Sequence, residues 1–223
     1  MRSFASKLVG LLAILISGAA SAQDVEVSAP TVTRGQAWSV YSGYTLGAGN
    51  TVLAGQVGWP GISATVLHGV TSNFDIGGRF GFNYGLEGMV RQVVPGLRLQ
   101  GVARINLLDQ QRLGLALEFA PGPIFYFRRA FTQVGMTLPI KLSLGIPVGS
   151  AIMINAGMDM PMFVLFGTGS YFGIPLLFGG GIEYFVSRDL AATFNVKMGP
   201  TFRTNERSAE FALEALLGIA YRF

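Results

Sequence analysis

The 223-residue chain carries no cysteine, 16 Lys or Arg against 12 Asp or Glu, 31 glycines and 50% apolar residues, with only 13% charged. Disulfide staples are excluded, a disordered chain is excluded by the apolar content, and no Lys/Arg-rich run of the kind that tracks phosphates occurs, so nucleic acid is not an expected partner. A chain so apolar, so glycine-rich and so poor in charge is not an ordinary water-soluble domain, and lipid is the natural second solvent.

Taken in chain order, Arg2 and Lys7 precede an apolar run over residues 8–16, followed by Ala20-Ser21-Ala22. This pattern predicts a secretory signal peptide over 1–22, the run being far shorter than the roughly 20 residues of a spanning helix. Removing it leaves 201 residues (223 less 22), with 14 bases (16 less Arg2 and Lys7) against 12 acids.

From there the chain reads as segments of period-2 alternation between turn signals: 36–46, 62–70, 74–84, 97–107, 112–120, 137–147, 151–160, 174–186, 189–199 and 211–223. In 74–84, Phe74, Ile76, Phe80, Phe82 and Tyr84 face one way, while Asp75, Arg79 and Asn83 face the other. The stretch 51–61 also alternates; it either extends the first loop or replaces 36–46 as strand one. The uncharged stretch 160–182 has the hydropathy of a membrane helix, but its six glycines and two prolines argue against one.

Connections between the segments alternate, short at 71–73, 109–111, 148–150 and 187–188, long at 85–96, 121–136, 161–173 and 200–209. Short turns on one side, longer loops on the other and an even strand count describe a transmembrane antiparallel β-barrel. The expectation is an all-β barrel of about ten strands, with eight or twelve as alternatives. Residues 23–35 then form an N-terminal periplasmic segment and 36–223 the barrel.

If the apolar face meets lipid, parity lists the charges that point into the lumen: the bases Arg79, Arg98, Arg104, Lys141 and Lys197, and the acids Asp75, Glu118, Asp159, Glu183 and Glu214. Five against five predicts a lumen braced by ion pairs and mostly closed, because an unpaired buried charge costs several kcal/mol. The alternative is a narrow porin-like channel for small polar solutes. Inward glycines, among them Gly77, Gly81, Gly114, Gly145, Gly157, Gly179, Gly181 and Gly218, either make room for long side chains or widen a channel.

Catalytic chemistry is poorly served. His68 is the only histidine, and parity puts it on the lipid face near a short turn, without a nucleophile or carboxylate partner, so a membrane-embedded hydrolase is the least supported reading. With no cysteine and scattered acids no metal site or cofactor is expected, and "GTGSYFG" at 167–173 reads as a loop rather than a phosphate cradle. Trp38, Tyr44, Phe80, Phe82, Tyr84, Tyr184, Tyr221 and Phe223 are placed as interfacial girdles. In the long loops, Arg91, Arg128, Arg129, Arg203 and Arg207 outnumber Glu87 and Glu206, an excess suited to lipopolysaccharide phosphates.

The last segment, "FALEALLGIAYRF", alternates back from Phe223 through Tyr221, Ile219, Leu217 and Leu213. In this the chain resembles the small outer-membrane β-barrel proteins of Gram-negative bacteria. The resemblance implies that these five residues are the assembly signal read by the barrel-assembly machinery. It further implies an outer-membrane location, lipid and lipopolysaccharide as surroundings and a monomer, and it names no activity.

Overall fold

The computed structural model describes residues 38–110, 112–167, 170–206 and 208–223. The expected signal peptide, the 23–35 segment and Arg207 lie outside the described residues. The described residues form twelve strands: β1 (Thr51–Trp59), β2 (Gly61–Gly69), β3 (Phe74–Gly85), β4 (Val93–Gln110), β5 (Leu113–Phe119), β6 (Gly122–Phe127), β7 (Thr132–Val148), β8 (Ile152–Leu165), β9 (Tyr171–Pro175), β10 (Leu177–Phe185), β11 (Leu190–Arg203) and β12 (Glu210–Arg222).

They occupy ten positions around one closed barrel. β5 and β6 both lie between β4 and β7, and β9 and β10 both lie between β8 and β11, so each pair is one interrupted strand. β12 pairs with β1 from Val52↔Arg222 to Trp59↔Ala215, which closes the ring; beyond Ala215 the 86–92 connection takes over through a Met89↔Ala212 bridge, with Leu213 N donating to Gly88 O at 3.0 Å. At the seam of closure Phe223 N donates to Thr51 O at 2.9 Å and Thr51 N to Phe223 O at 3.2 Å.

Strand one is Thr51–Trp59, whereas 38–46 is not a strand: every residue from Trp38 to Tyr44 is buried. The alternation in "WSVYSGYTL" is not that of a strand: the chain bends over 40–43, is surrounded by protein on all sides, and gives its backbone bonds to side chains of the wall. Gly47 and Gly49, at φ of 77° and 81°, then reverse the chain into β1, a conformation costly for any residue with a Cβ.

The strands also run further than prolines suggest. β7 continues through Pro139, β8 through Pro161 and β11 through Pro200, so the long connections shrink to residues 86–92, 128–131, 166–170 and 204–209. A proline ring fits extended backbone; what it removes is one donor to the ladder. The two interruptions lie at those lost donors: Ala120 N reaches Pro139 O at 3.1 Å and Leu176 N reaches Pro200 O at 2.8 Å, with no bond returned in either case. No described helix is long and apolar enough to cross a membrane; the charge-free stretch 160–182 instead forms the end of β8, a hairpin, β9 and most of β10.

Period 2 divides every strand between the two surfaces. Leu53, Val66, Phe80, Leu99 and Ile219 stand outward, Leu99 at 58% and Ile219 at 64% exposure, whereas Asp75, Glu183 and Lys197 are buried inside. For reference below, the proximal end is the one where β1 begins and β12 finishes; the distal end carries the connections 86–92, 128–131, 166–170 and 204–209.

Candidate functional site

The lumen is filled in three tiers. In the proximal tier residues 38–46 enter as an irregular plug that bends over 40–43, and because such a segment cannot satisfy all of its own backbone, the inward side chains of the wall do so. Arg104 donates to the carbonyls of Val40 at 2.6 Å and Ser39 at 2.5 Å, and Asn106 donates to that of Gly43 at 2.7 Å. Glu183 Oε1 accepts from Ser39 Oγ at 2.7 Å and from the Tyr41 amide at 2.9 Å, and Asp75 accepts from the Leu46 amide at 3.1 Å.

The rim is tied as well. Trp38 Nε1 donates to Arg188 O at 2.8 Å, Tyr44 Oη to Gln110 O at 3.1 Å, and Thr45 Oγ1 to Ser72 O at 2.7 Å, so three proximal turns hold the plug. Trp38 also packs edge-on against Phe185, centroids 5.4 Å apart, beneath the Arg222 guanidinium. Backbone meets backbone at Gly43: a Cβ there would lie 2.0 Å from Gly114 O and 2.8 Å from Gly145 N. Thus Gly114 and Gly145 supply space, and the plug occupies it.

Ion pairs make the middle tier. Arg79 reaches Glu118 at 2.9 Å and donates to Thr65 Oγ1 at 3.1 Å. Asp159 takes Lys197 at 2.7 Å and Lys141 at 3.9 Å, so one acid serves two bases. Lys141 also sits 5.5 Å from the Tyr41 ring centroid, linking this tier to the plug. Asp75 and Arg104, at 2.6 Å, form the pair below.

In the distal tier the 86–92 connection folds inward and buries Leu86 and Met89 completely, against Ile124, Phe163 and Tyr171. Glu87 holds it there. Its carboxylate accepts from Tyr126 Oη at 2.6 Å and pairs with Arg98 at 3.6 Å, while Trp59 Nε1 donates to Gly88 O at 3.1 Å. Glu87 has φ of 44°, a backbone conformation that a non-glycine residue keeps only where its surroundings determine it.

Of the ten charges assigned inward by parity, the five bases each meet an acid within 4 Å, but not always one from the list: the partner of Arg98 is Glu87. Glu87 is therefore a lumen residue and not an outer-loop one. Glu183 is held by the plug instead of a cation, and Glu214 makes no ion pair within 4 Å among the described residues.

Arg203, expected in a loop, is the last residue of β11; its side chain is 8% exposed and pairs with Glu206 and with Glu210 at 2.8 Å. Arg128 donates to Gln133 at 3.1 Å, and Arg91 and Arg129 remain exposed. Trp38 and Tyr44 belong to the plug and not to a girdle, whereas Phe80, Phe82, Tyr184, Tyr221 and Phe223 face outward. Leu217 and Ile219 share that outward face of β12, and Leu213 is half-buried. In 167–173, Tyr171 onward belongs to β9.

His68 is exposed on the outer face near the proximal end, where its Nδ1 lies 2.9 Å from Thr51 Oγ1. Ser39, the serine beside a buried carboxylate, accepts the amides of Tyr41 and Ser42 at 3.2 and 2.7 Å; its oxygen caps a turn. Among the described residues no group of three His, Asp or Glu is placed to hold a metal. The arrangement places the 38–46 segment at the proximal end of the lumen and the side chains of the 86–92 connection at the distal end.

No protein-family model matches the chain. No curated protein matches it by sequence. Among solved structures it is similar to the N-terminal β-barrel domain of Pseudomonas aeruginosa OprF, at 12% identity and a TM-score of 0.33 over 78% of this chain and 96% of that one, a likeness too distant to bear on function.

Two substitutions test how the plug is held. Glu183→Leu leaves the Ser39 hydroxyl and the Tyr41 amide without an acceptor and should lower stability to urea in micelles by roughly 2–4 kcal/mol, while Glu183→Gln keeps an acceptor and should stay within about 1 kcal/mol of the parent. Gly43→Val should expose the plug to protease with the barrel intact; a Gly43→Val chain as protected as the parent would contradict the packing described.

Proposed function

We propose that the chain is an outer-membrane barrel with a structural or interaction role and a lumen closed to solutes. The single observation that carries this reading is the seating of residues 38–46 in the lumen, bonded to wall residues on β3, β4 and β10 and to three turns. The inward 86–92 connection closes the other end, and the paired charges fill the middle. The belt of outward aliphatic and aromatic side chains supports a lipid surround, since such a surface in water would be an aggregation hazard. In this reading the proximal end faces the periplasm, because short turns gather there.

Reconstituted into planar bilayers, the parent chain should give no steady single-channel conductance. Replacing residues 38–46 by a Gly/Ser stretch of equal length should produce one; steady conductance from the parent would overturn the closed-lumen reading.

We also propose that Phe223, with Tyr221, Ile219, Leu217 and Leu213, is read by the barrel-assembly machinery. The stacked Tyr221 and Phe223 rings, 6.3 Å apart on the outer face, support this. Deleting Phe223 should reduce the amount inserted in cells more than the urea midpoint of refolded barrel. Equal insertion of the truncated chain would refute the assignment.

A further inference from the structure

The prolines of the wall are not scattered. Pro139 lies opposite Pro161 in the β7–β8 register. Counting from Asp159↔Leu177 to Phe163↔Gly173 puts Pro161 in turn opposite Pro175, and Pro175 faces Thr201 beside Pro200. Four neighbouring strands thus carry proline at one level, in the distal half.

Their effect differs from seam to seam. Between β5–β6 and β7, and between β9–β10 and β11, a proline carbonyl still accepts a bond, from Ala120 and Leu176 respectively. Between β8 and β9–β10 the hydrogen-bonded positions are the odd-numbered ones, as Phe185 N donating to Ala151 O at 2.7 Å marks. A residue pair at such a position exchanges two bonds. Pro161 and Pro175 meet at one of them and neither has an N–H, so both bonds are missing. Ladder bonding is therefore interrupted from Asp159↔Leu177 to Phe163↔Gly173, about 13 Å at ~3.3 Å per residue. Among the described residues this is the one seam where proline faces proline at a hydrogen-bonded position.

Behind the seam, above the Asp159–Lys197 pair and between the buried Thr137 and Thr201, the lumen holds an apolar cluster, which is unusual for a membrane barrel. Phe163, Leu165 and Leu177 line it from the two strands themselves, and Leu86 and Met89 fill it from the inward connection. Gly173 offers no side chain, and the Phe163 ring covers it: a Cβ on Gly173 would lie 2.3 Å from that ring. Outside stand Met160 and Met162, adaptable unbranched side chains. At the distal end of the seam Tyr171 and Arg203 lie against each other, the guanidinium 5.6 Å from the ring centroid, and among the described residues Tyr171 Oη and Arg203 Nε, both buried, make no hydrogen bond of good geometry.

We propose that the Pro161–Pro175 seam is a lateral port, through which one acyl chain of a membrane lipid enters the distal lumen and displaces Leu86 and Met89, with its ester carbonyl at Tyr171 and Arg203. The proposal rests on the membrane reading above. It assigns the barrel a lipid-binding role that a sealed wall does not have. Water and solutes remain excluded, because the proximal plug and the middle ion pairs are untouched by an occupant at this level.

The experiment uses the full chain reconstituted in phosphatidylcholine vesicles doped with phosphatidylethanolamine that bears a diazirine in one acyl chain. After photolysis, labelled residues are mapped by mass spectrometry in the parent and in Pro161→Val/Pro175→Val, which restores both donors with a strand-forming residue. Label should appear on the outward residues Phe80 and Leu99 in both chains, and on the inward Met89 and Phe163 in the parent alone. Interior label that persists in the double variant, or parent label confined to the outer face, would overturn the port. Absence of label at Phe80 and Leu99 would instead sink the membrane reading itself. Excess unlabelled lipopolysaccharide that suppresses the Met89 label makes its acyl chains the preferred occupant; unchanged label leaves the role to the glycerophospholipid. A second variant pair, Val164→Cys/Phe172→Cys, bridges register partners just above the gap. Once oxidised it should abolish interior label, and reduction should bring that label back.

Discussion

Everything in this protein follows from closing ten strand positions into one ladder. A closed sheet has an outside and an inside, and period-2 geometry sends each side chain to one or the other with no intermediate choice. The outside carries a belt of aliphatic and aromatic side chains. The inside is a tube wider than the side chains of its own wall fill, and what fills it determines what the barrel can do. Here the filling is polypeptide: nine residues, 38–46, from one direction and the 86–92 connection from the other.

Arg104 shows how the filling and the wall depend on each other. Its guanidinium bonds Asp75 through Nε and Nη2 at 2.9 and 2.6 Å, and the same group holds the carbonyls of Ser39 and Val40. Desolvating an ion pair costs free energy that the pair alone seldom recovers. Two further carbonyl bonds offset part of that cost and fix the position of the plug, so the charge contributes to a unique arrangement more than to net stability. Glu183 does the reciprocal work for the Tyr41 amide and the Ser39 hydroxyl, both through Oε1.

Much of this is legible in the sequence. Alternation assigned inward and outward faces to β3, β4 and β12 correctly, because a half-buried strand leaves its pattern in every second residue. The proximal turns are evident from the polar clusters at 71–73 and 148–150. Two features misled, each for a physical reason. A segment buried on all sides, such as 38–46, alternates like a strand yet bonds to side chains, and alternation does not tell which partners satisfy a backbone. Pro161 and Pro200 look like loop signals yet lie within β8 and β11, because extended backbone accommodates proline and loses only a donor. Glu87 was hidden for a third reason, since nothing in "GLEGMV" says that a loop turns inward.

The central claim is that the lumen is sealed by the chain itself, and the absence of native cysteine makes a direct measurement possible. A single cysteine is placed at Gln100, buried on the inner wall in the middle of the barrel, or at Ser72 in an exposed proximal turn, and each is treated with a small water-soluble thiol reagent in membranes. The Ser72→Cys chain should react readily and the Gln100→Cys chain should stay unmodified until residues 38–46 are replaced. Equal reaction rates at the two sites in the otherwise native chain would contradict the account.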